Sequence, residues 1–115
     1  MVISIFLLLL SFQVAPTPSP AVPCNRDATV SHQVPPDYPE SARESGLGQV
    51  TAGIRVYITP QGTIASLRVV NSTGNGDLDQ AAIRGAAEST YSPRMKNCKP
   101  TFGLYLFKVT FDPNQ

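Results

Sequence analysis

GQVTAGIRVYITPQGTIASLRVVNS, residues 48–72, carries the pattern on which the fold turns. Val50, Ala52, Ile54, Val56 and Ile58 take every second position, separated by Thr51, Gly53, Arg55 and Tyr57. Apolar residues at period two make a strand with one face buried and the other wetted. Thr59-Pro60-Gln61-Gly62 follows. Proline pre-sets φ at the second position of a type I turn, and glycine accepts the left-handed conformation that closes it. The extended pattern resumes over residues 64–70, so the stretch is a β-hairpin. An isolated hairpin is not stable in water, so the remaining sequence must cover one of its faces.

After Ser72-Thr73-Gly74-Asn75-Gly76 the period changes. Leu78, Ala82 and Ala86 fall at i, i+4 and i+8, with Ala81, Ile83 and Gly85 beside them. This is a helix whose small-residue face can lie close on a sheet. Asp77 and Gln80 have capping-box spacing, and Asp77 and Asp79 suit the positive end of the helix dipole. Tyr91-Ser92-Pro93 is expected to end the helix. A third strand is expected over residues 102–111, with Tyr105, Phe107, Val109 and Phe111 on one face. Its other face carries Phe102, Leu104 and Leu106 before turning polar at Lys108 and Thr110. Upstream, Pro39 fits the first position of a short helix and Gly46 its C-terminal cap. The fold class is α+β: a short N-terminal helix, then β-β-α-β, with a three-stranded antiparallel sheet packed on one helix. Val50, Ile54, Val56, Leu67, Val69, Leu78, Ala82, Tyr105, Val109 and Phe111 are the expected core.

The chain of 115 residues holds one domain at residues 36–113. Residues 1–15 form an export signal or short anchor, and residues 16–35 a proline-rich spacer and arm. Residues 2–12 are nearly all apolar, yet shorter than the roughly 17–25 residues of a membrane-spanning helix. The expected location is the periplasm, by export, with anchoring to the inner membrane as the alternative. Pro16, Pro18, Pro20 and Pro23 give the spacer a polyproline II character. Cys24 and Cys98 suit an exported protein tied by a disulfide, the alternative being two unrelated small apolar residues. Closing a loop of about 75 residues stabilises by about 4 kcal/mol on the chain-entropy model. A lipid-modified Cys24 is disfavoured by Pro23.

A net charge of +1, the absence of tryptophan and the lack of a basic run argue against nucleic-acid partners. No metal or other cofactor is indicated, since the two cysteines and distant His32 lack ligand spacing. His32, read as a loop residue, has no pattern linking it to a nucleophile, so no catalytic residue is assigned and an enzyme is not expected. Arg55 and Arg68 read as solvent-face residues of the hairpin.

Tyr38-Pro39 with Ala42, Gly48 with Val50, Pro60-Gln61-Gly62, Ser72 with Gly74, Leu78-Asp79 with Ala82, Pro93, Tyr105 and Phe111 together resemble the C-terminal, periplasmic domain of the TonB family. The likeness covers residues 36–113 and rests on order and spacing rather than on one diagnostic motif. It implies a domain that grips the TonB box, a short peptide of outer-membrane TonB-dependent transporters, as a strand added beside the third strand. ExbB- and ExbD-type inner-membrane proteins supply force in that family. The expected partner-binding residues are Phe102, Leu104, Leu106, Lys108, Tyr38 and Pro39. Family transducers also carry an anchor helix with a histidine, and a long linker. Here residues 2–12 hold no histidine, Pro35 stands where a box-contacting glutamine is common, and Ser89-Thr90-Tyr91 replaces a frequent tryptophan. The alternative function is therefore a free-standing exported structural or self-associating module without energy coupling, with a homodimer formed at the same edge.

Overall fold

The computed structural model describes residues 24–114. The export or anchor segment 1–15 and the spacer as far as residue 23 lie outside the described residues. Helix α1 spans Glu40–Glu44, strand β2 Val50–Ile58, strand β3 Ile64–Asn71 and helix α2 Gly76–Glu88. Strand β7, Gly103–Phe111, completes a three-stranded antiparallel sheet in the order β3-β2-β7. The expected architecture is present, and four short strands accompany it. Strand β1, Thr29–His32, pairs with β4, Thr90–Ser92. Strand β5, Arg94–Lys96, pairs with β6, Lys99–Thr101.

The central hairpin closes as its turn residues require. The Gly62 N–H donates to the Thr59 carbonyl at 2.9 Å, and Gly62 takes φ +82°. Thr59 and Thr63 then pair, the Thr59 N–H donating to the Thr63 carbonyl at 2.8 Å. On β2 the alternation holds: Ala52, Ile54, Val56 and Ile58 are fully buried, while Thr51, Arg55 and Tyr57 face solvent. Helix α2 lays Leu78, Ala81, Ala82 and Ala86 against this apolar face. Phe107, Val109 and Phe111 reach it from β7, with Val50, Leu67, Val69 and Tyr105 half-buried at its margins. Small residues on the helix let other elements approach closely. A Cβ on Gly85 would lie 3.1 Å from the Pro36 Cβ and 3.2 Å from the Val34 carbonyl oxygen.

Several local expectations need correction. The cap of α2 is Asn75, whose side chain accepts from the N–H groups of Asp77 and Leu78 at 2.9 and 3.1 Å. Asn75 wins because Gly76 already turns helical, which puts Asp77 inside the first turn. Asp79 also ties down the preceding loop, accepting from the Ser72 hydroxyl, the Thr73 N–H at 2.9 Å and the Thr73 hydroxyl at 2.7 Å. Helix α2 ends at Glu88, before Tyr91, because Thr90–Ser92 is drawn off to pair with β1. His32 is thus the last residue of a strand, opposite Thr90, and not a loop residue. Pro39 is the N-cap of α1 with an extended ψ of 140°, and Gly46 follows the helix at φ +65°. Strand β7 begins at Gly103, leaving Phe102 just outside it.

The arm that precedes α1 is bound along its length. Cys24 is bonded to Cys98, and the Cys98 N–H donates to the Cys24 carbonyl at 2.9 Å. Arg26 and Met95 exchange two backbone hydrogen bonds, and β1 then joins β4. The Val34 N–H donates to the Ser89 hydroxyl oxygen at 2.9 Å, and that hydroxyl donates to the Gly85 carbonyl at 2.7 Å. The Ser89 hydroxyl thus joins the arm to the C-terminal end of α2, receiving the Val34 N–H and donating to a carbonyl of the last turn.

Asp79 gives this scaffold a measurable acid response. Burial pushes its carboxyl up, but the bonds from Ser72 and Thr73 outweigh that and hold it below its ordinary value of 3.8. A carboxyl depressed on folding contributes stability that is present above the unfolded value and lost as pH falls through the folded one. Asp79→Asn should cost about 1 kcal/mol at neutral pH. Denaturant titrations should also show a shallower loss of stability below pH 3.8 in the variant than in the parent.

Candidate functional site

Strand β7 is the place where the sheet is open. It pairs with β2 through nine residues, from Gly103 opposite Ile58 to Phe111 opposite Val50. No other strand among the described residues pairs with its far side. In an antiparallel strand alternate residues turn their N–H and C=O groups to opposite sides. Half of the β7 backbone groups therefore point outward with no strand to receive them. Leu106 and Lys108, being two apart, share one direction.

The side chains divide by the same alternation. Phe107, Val109 and Phe111 are buried toward α2, whereas Leu104, Leu106, Lys108 and Thr110 lie on the face away from it. Leu104 is 55% and Leu106 42% exposed. Phe102, 49% exposed, stacks on Tyr57 of β2 with ring centroids 5.6 Å apart. These residues form an apolar patch at the start of the open edge.

The other end of the edge runs into a cleft of about 410 Å³. The arm supplies Gln33, Pro35, Pro36, Asp37 and Tyr38 on one wall, α1 supplies Arg43, and residues 108–112 form the other wall. Tyr38 packs edge-on against Phe111 at 5.9 Å, with the Arg43 guanidinium over its ring at 5.0 Å. Pro39 stands behind Tyr38 and caps α1, its carbonyl accepting from the Ala42 and Arg43 N–H groups at 3.1 and 3.3 Å. The Tyr38 hydroxyl is buried and has no hydrogen-bond partner among the described residues. An unpaired buried hydroxyl is costly to the fold.

The six residues expected to bind a partner thus fall into two groups. Tyr38 and Lys108 both line the cleft, on opposite walls, with Pro39 shaping the chain behind Tyr38. Phe102, Leu104 and Leu106 gather at the opposite end of β7. Two neighbours of these groups were not singled out from the sequence. Tyr57 carried a signal, as an aromatic residue in a solvent-facing position of β2. Arg43 carried none, because only the packing of α1 brings it over Tyr38. Among the described residues no group of three or more His, Cys, Asp or Glu side chains is gathered where it could hold a metal ion.

Comparison with known proteins yields two likenesses. The family described as Gram-negative bacterial TonB protein C-terminal matches residues 34–113. Protein TonB of Vibrio cholerae serotype O1 is 30% identical over 76 residues, which are 66% of this chain and 31% of that protein. The chain therefore spans about a third of the length of that relative.

Two phenols of opposite status test the description of the cleft. The Tyr91 hydroxyl donates to the Ala86 carbonyl at 2.6 Å, and burial pushes its pKa up to about 12. Tyr91→Phe should destabilise the domain by about 1–2 kcal/mol, because the carbonyl loses its donor. Tyr38→Phe should leave stability unchanged or raise it by up to about 1 kcal/mol, since it removes a hydroxyl without a partner. Chemical denaturation of the two variants reads the contrast.

Proposed function

The chain belongs to the TonB C-terminal family, and from that premise we propose that it binds a peptide segment of an outer-membrane transporter by strand addition beside β7. The observation that carries this reading is the unpaired outer side of β7 along nine residues, ending in a cleft rather than in open solvent. Backbone ladder bonds bind an extended peptide with loose sequence demands, and side-chain pockets then set preference. Leu104 and Leu106 offer apolar contact to alternate side chains of an added strand. Lys108, with Tyr38 and Arg43 across the cleft, offers polar contact at the far end. The domain acts as a grip and not as a catalyst. Its role is TonB-dependent transport across the envelope, on the periplasmic side. Force from ExbB/ExbD-type inner-membrane proteins would reach it through the residues before Cys24.

A second copy of the chain is the competing occupant, since two β7 edges can pair with one another. The discriminating experiment places the block on the peptide and leaves the domain intact. Box peptides from TonB-dependent transporters are N-methylated on alternate residues, in two complementary sets, and titrated calorimetrically. Methylation removes the N–H donor in the way proline does. One set should abolish binding, and the other should bind nearly as well as the parent peptide. Equal binding of both sets would contradict strand addition. A concentration-dependent dimer that ignores every peptide would assign the edge to self-association.

A further inference from the structure

The small net charge conceals a strong segregation. Six of the nine cationic side chains, Arg55, Arg68, Arg94, Lys96, Lys99 and Lys108, lie on strands, and none of the seven strands carries an acid. Helices α1 and α2 hold five of the eight acids, Glu40, Glu44, Asp77, Asp79 and Glu88, against two bases. Helix α2 covers one face of the three-stranded sheet, and three of these cations, Arg55, Arg68 and Lys108, lie on its uncovered face, which holds no acid. Across it Arg68, Arg55 and Leu106 stand in one row, and Ser66, Tyr57 and Leu104 in the next. Phe102 extends the second row by stacking on Tyr57. Arg55, Arg68 and Lys108 have no ion pair among the described residues. Asp27, beside Arg94, is the acid that lines the margin of the aromatic patch. Exposed leucine and aromatic side chains flanked by unpaired cations match a partner that is both apolar and anionic.

We propose that this face docks on an anionic phospholipid surface. Lipid phosphates would pair with Arg55, Arg68 and Lys108, while Tyr57, Phe102, Leu104 and Leu106 enter the headgroup region. The acidic helices then point away from the anionic surface, so the charge distribution orients the domain before contact. A second copy is disfavoured on the face itself, because two such faces brought together would oppose cation to cation. The chain's own course favours lipid over an acidic protein. Cys24 is tied to Cys98 at the turn of the β5–β6 hairpin, and β6 leads directly into Phe102. The apolar residues 2–12 are therefore joined to this end of the molecule. If kept as the short anchor, that segment would add a second membrane signal to the cationic face, one weak signal alone giving only marginal attachment. This inference shares Leu104, Leu106 and Lys108 with the peptide grip but does not use the backbone edge of β7, and it is tested through Arg55, Arg68 and Tyr57, which lie on β2 and β3.

The test uses the full oxidised chain, sedimented with phosphatidylcholine vesicles that contain or lack phosphatidylglycerol. Partition should favour the phosphatidylglycerol vesicles and weaken as salt rises. The Arg55→Gln, Arg68→Gln double variant should retain the parent's melting transition and lose about fivefold in partition for each cation removed. Tyr57→Trp introduces the chain's single tryptophan, whose emission should shift to the blue on the anionic vesicles and not on the neutral ones. Equal partition of parent and double variant, equal binding to both vesicle types, or an unmoved emission maximum would each overturn the proposal. Binding of soluble polyglutamate in place of vesicles, lost in the double variant, would also overturn it and assign the face to an acidic protein segment.

Discussion

A three-stranded sheet has two faces and two edges, and a single helix of thirteen residues covers only one of those faces. Most of the structure follows from how that shortage is met. The covered face is sealed by small residues of α2 lying on Ile54, Val56 and Phe107, close enough that the chain can bury a core with no tryptophan. The arm binds the C-terminal end of α2 and the β5–β6 hairpin through backbone groups, Ser89 and the Cys24–Cys98 bond. It reaches the last residues of β7 only at Tyr38, where it forms a cleft instead of an additional strand. The outer side of β7 and the far face of the sheet are left to whatever the domain meets.

The parts legible in the sequence were those governed by period. The extended patterns over residues 50–58, 64–70 and 102–111, and the 3.6-residue pattern after Leu78, specify three strands, one helix and which side of each is buried. The four short strands were not legible, because three or four residues such as Thr90-Tyr91-Ser92 cannot display a period. Their pairing is tertiary. The β5–β6 hairpin was hidden further by its turn, Asn97-Cys98, where both residues take left-handed φ values of 52° and 64°. Such a turn ordinarily announces itself with a glycine. Here the arm substitutes for it: Asn25 accepts from the Asn97 N–H at 2.9 Å, and the disulfide holds Cys98.

The cap of α2 illustrates a competition that sequence alone decides poorly. Asn75, Asp77 and Asp79 are all plausible caps, and the structure uses each differently. Asn75 satisfies the first helical N–H groups, Asp77 accepts from Ser41 of α1 at 2.7 Å, and Asp79 folds the preceding loop back onto the helix. At the open edge, the leucines of β7 could be read as exposed from alternation, and the resemblance pointed to Tyr38. Their separation into an apolar end and a cleft end depends on how the arm runs, which no local pattern records.

The central claim is that β7 is a strand with one side unoccupied until a peptide arrives. Hydrogen–deuterium exchange along residues 103–111 measures it directly, amide by amide. In the free chain, protection should alternate, with amides bonded to β2 exchanging slowly and their neighbours quickly. A transporter box peptide should slow the fast set and leave the slow set unchanged. Uniformly slow exchange in the free monomer, or a fast set that no peptide protects, would contradict the account.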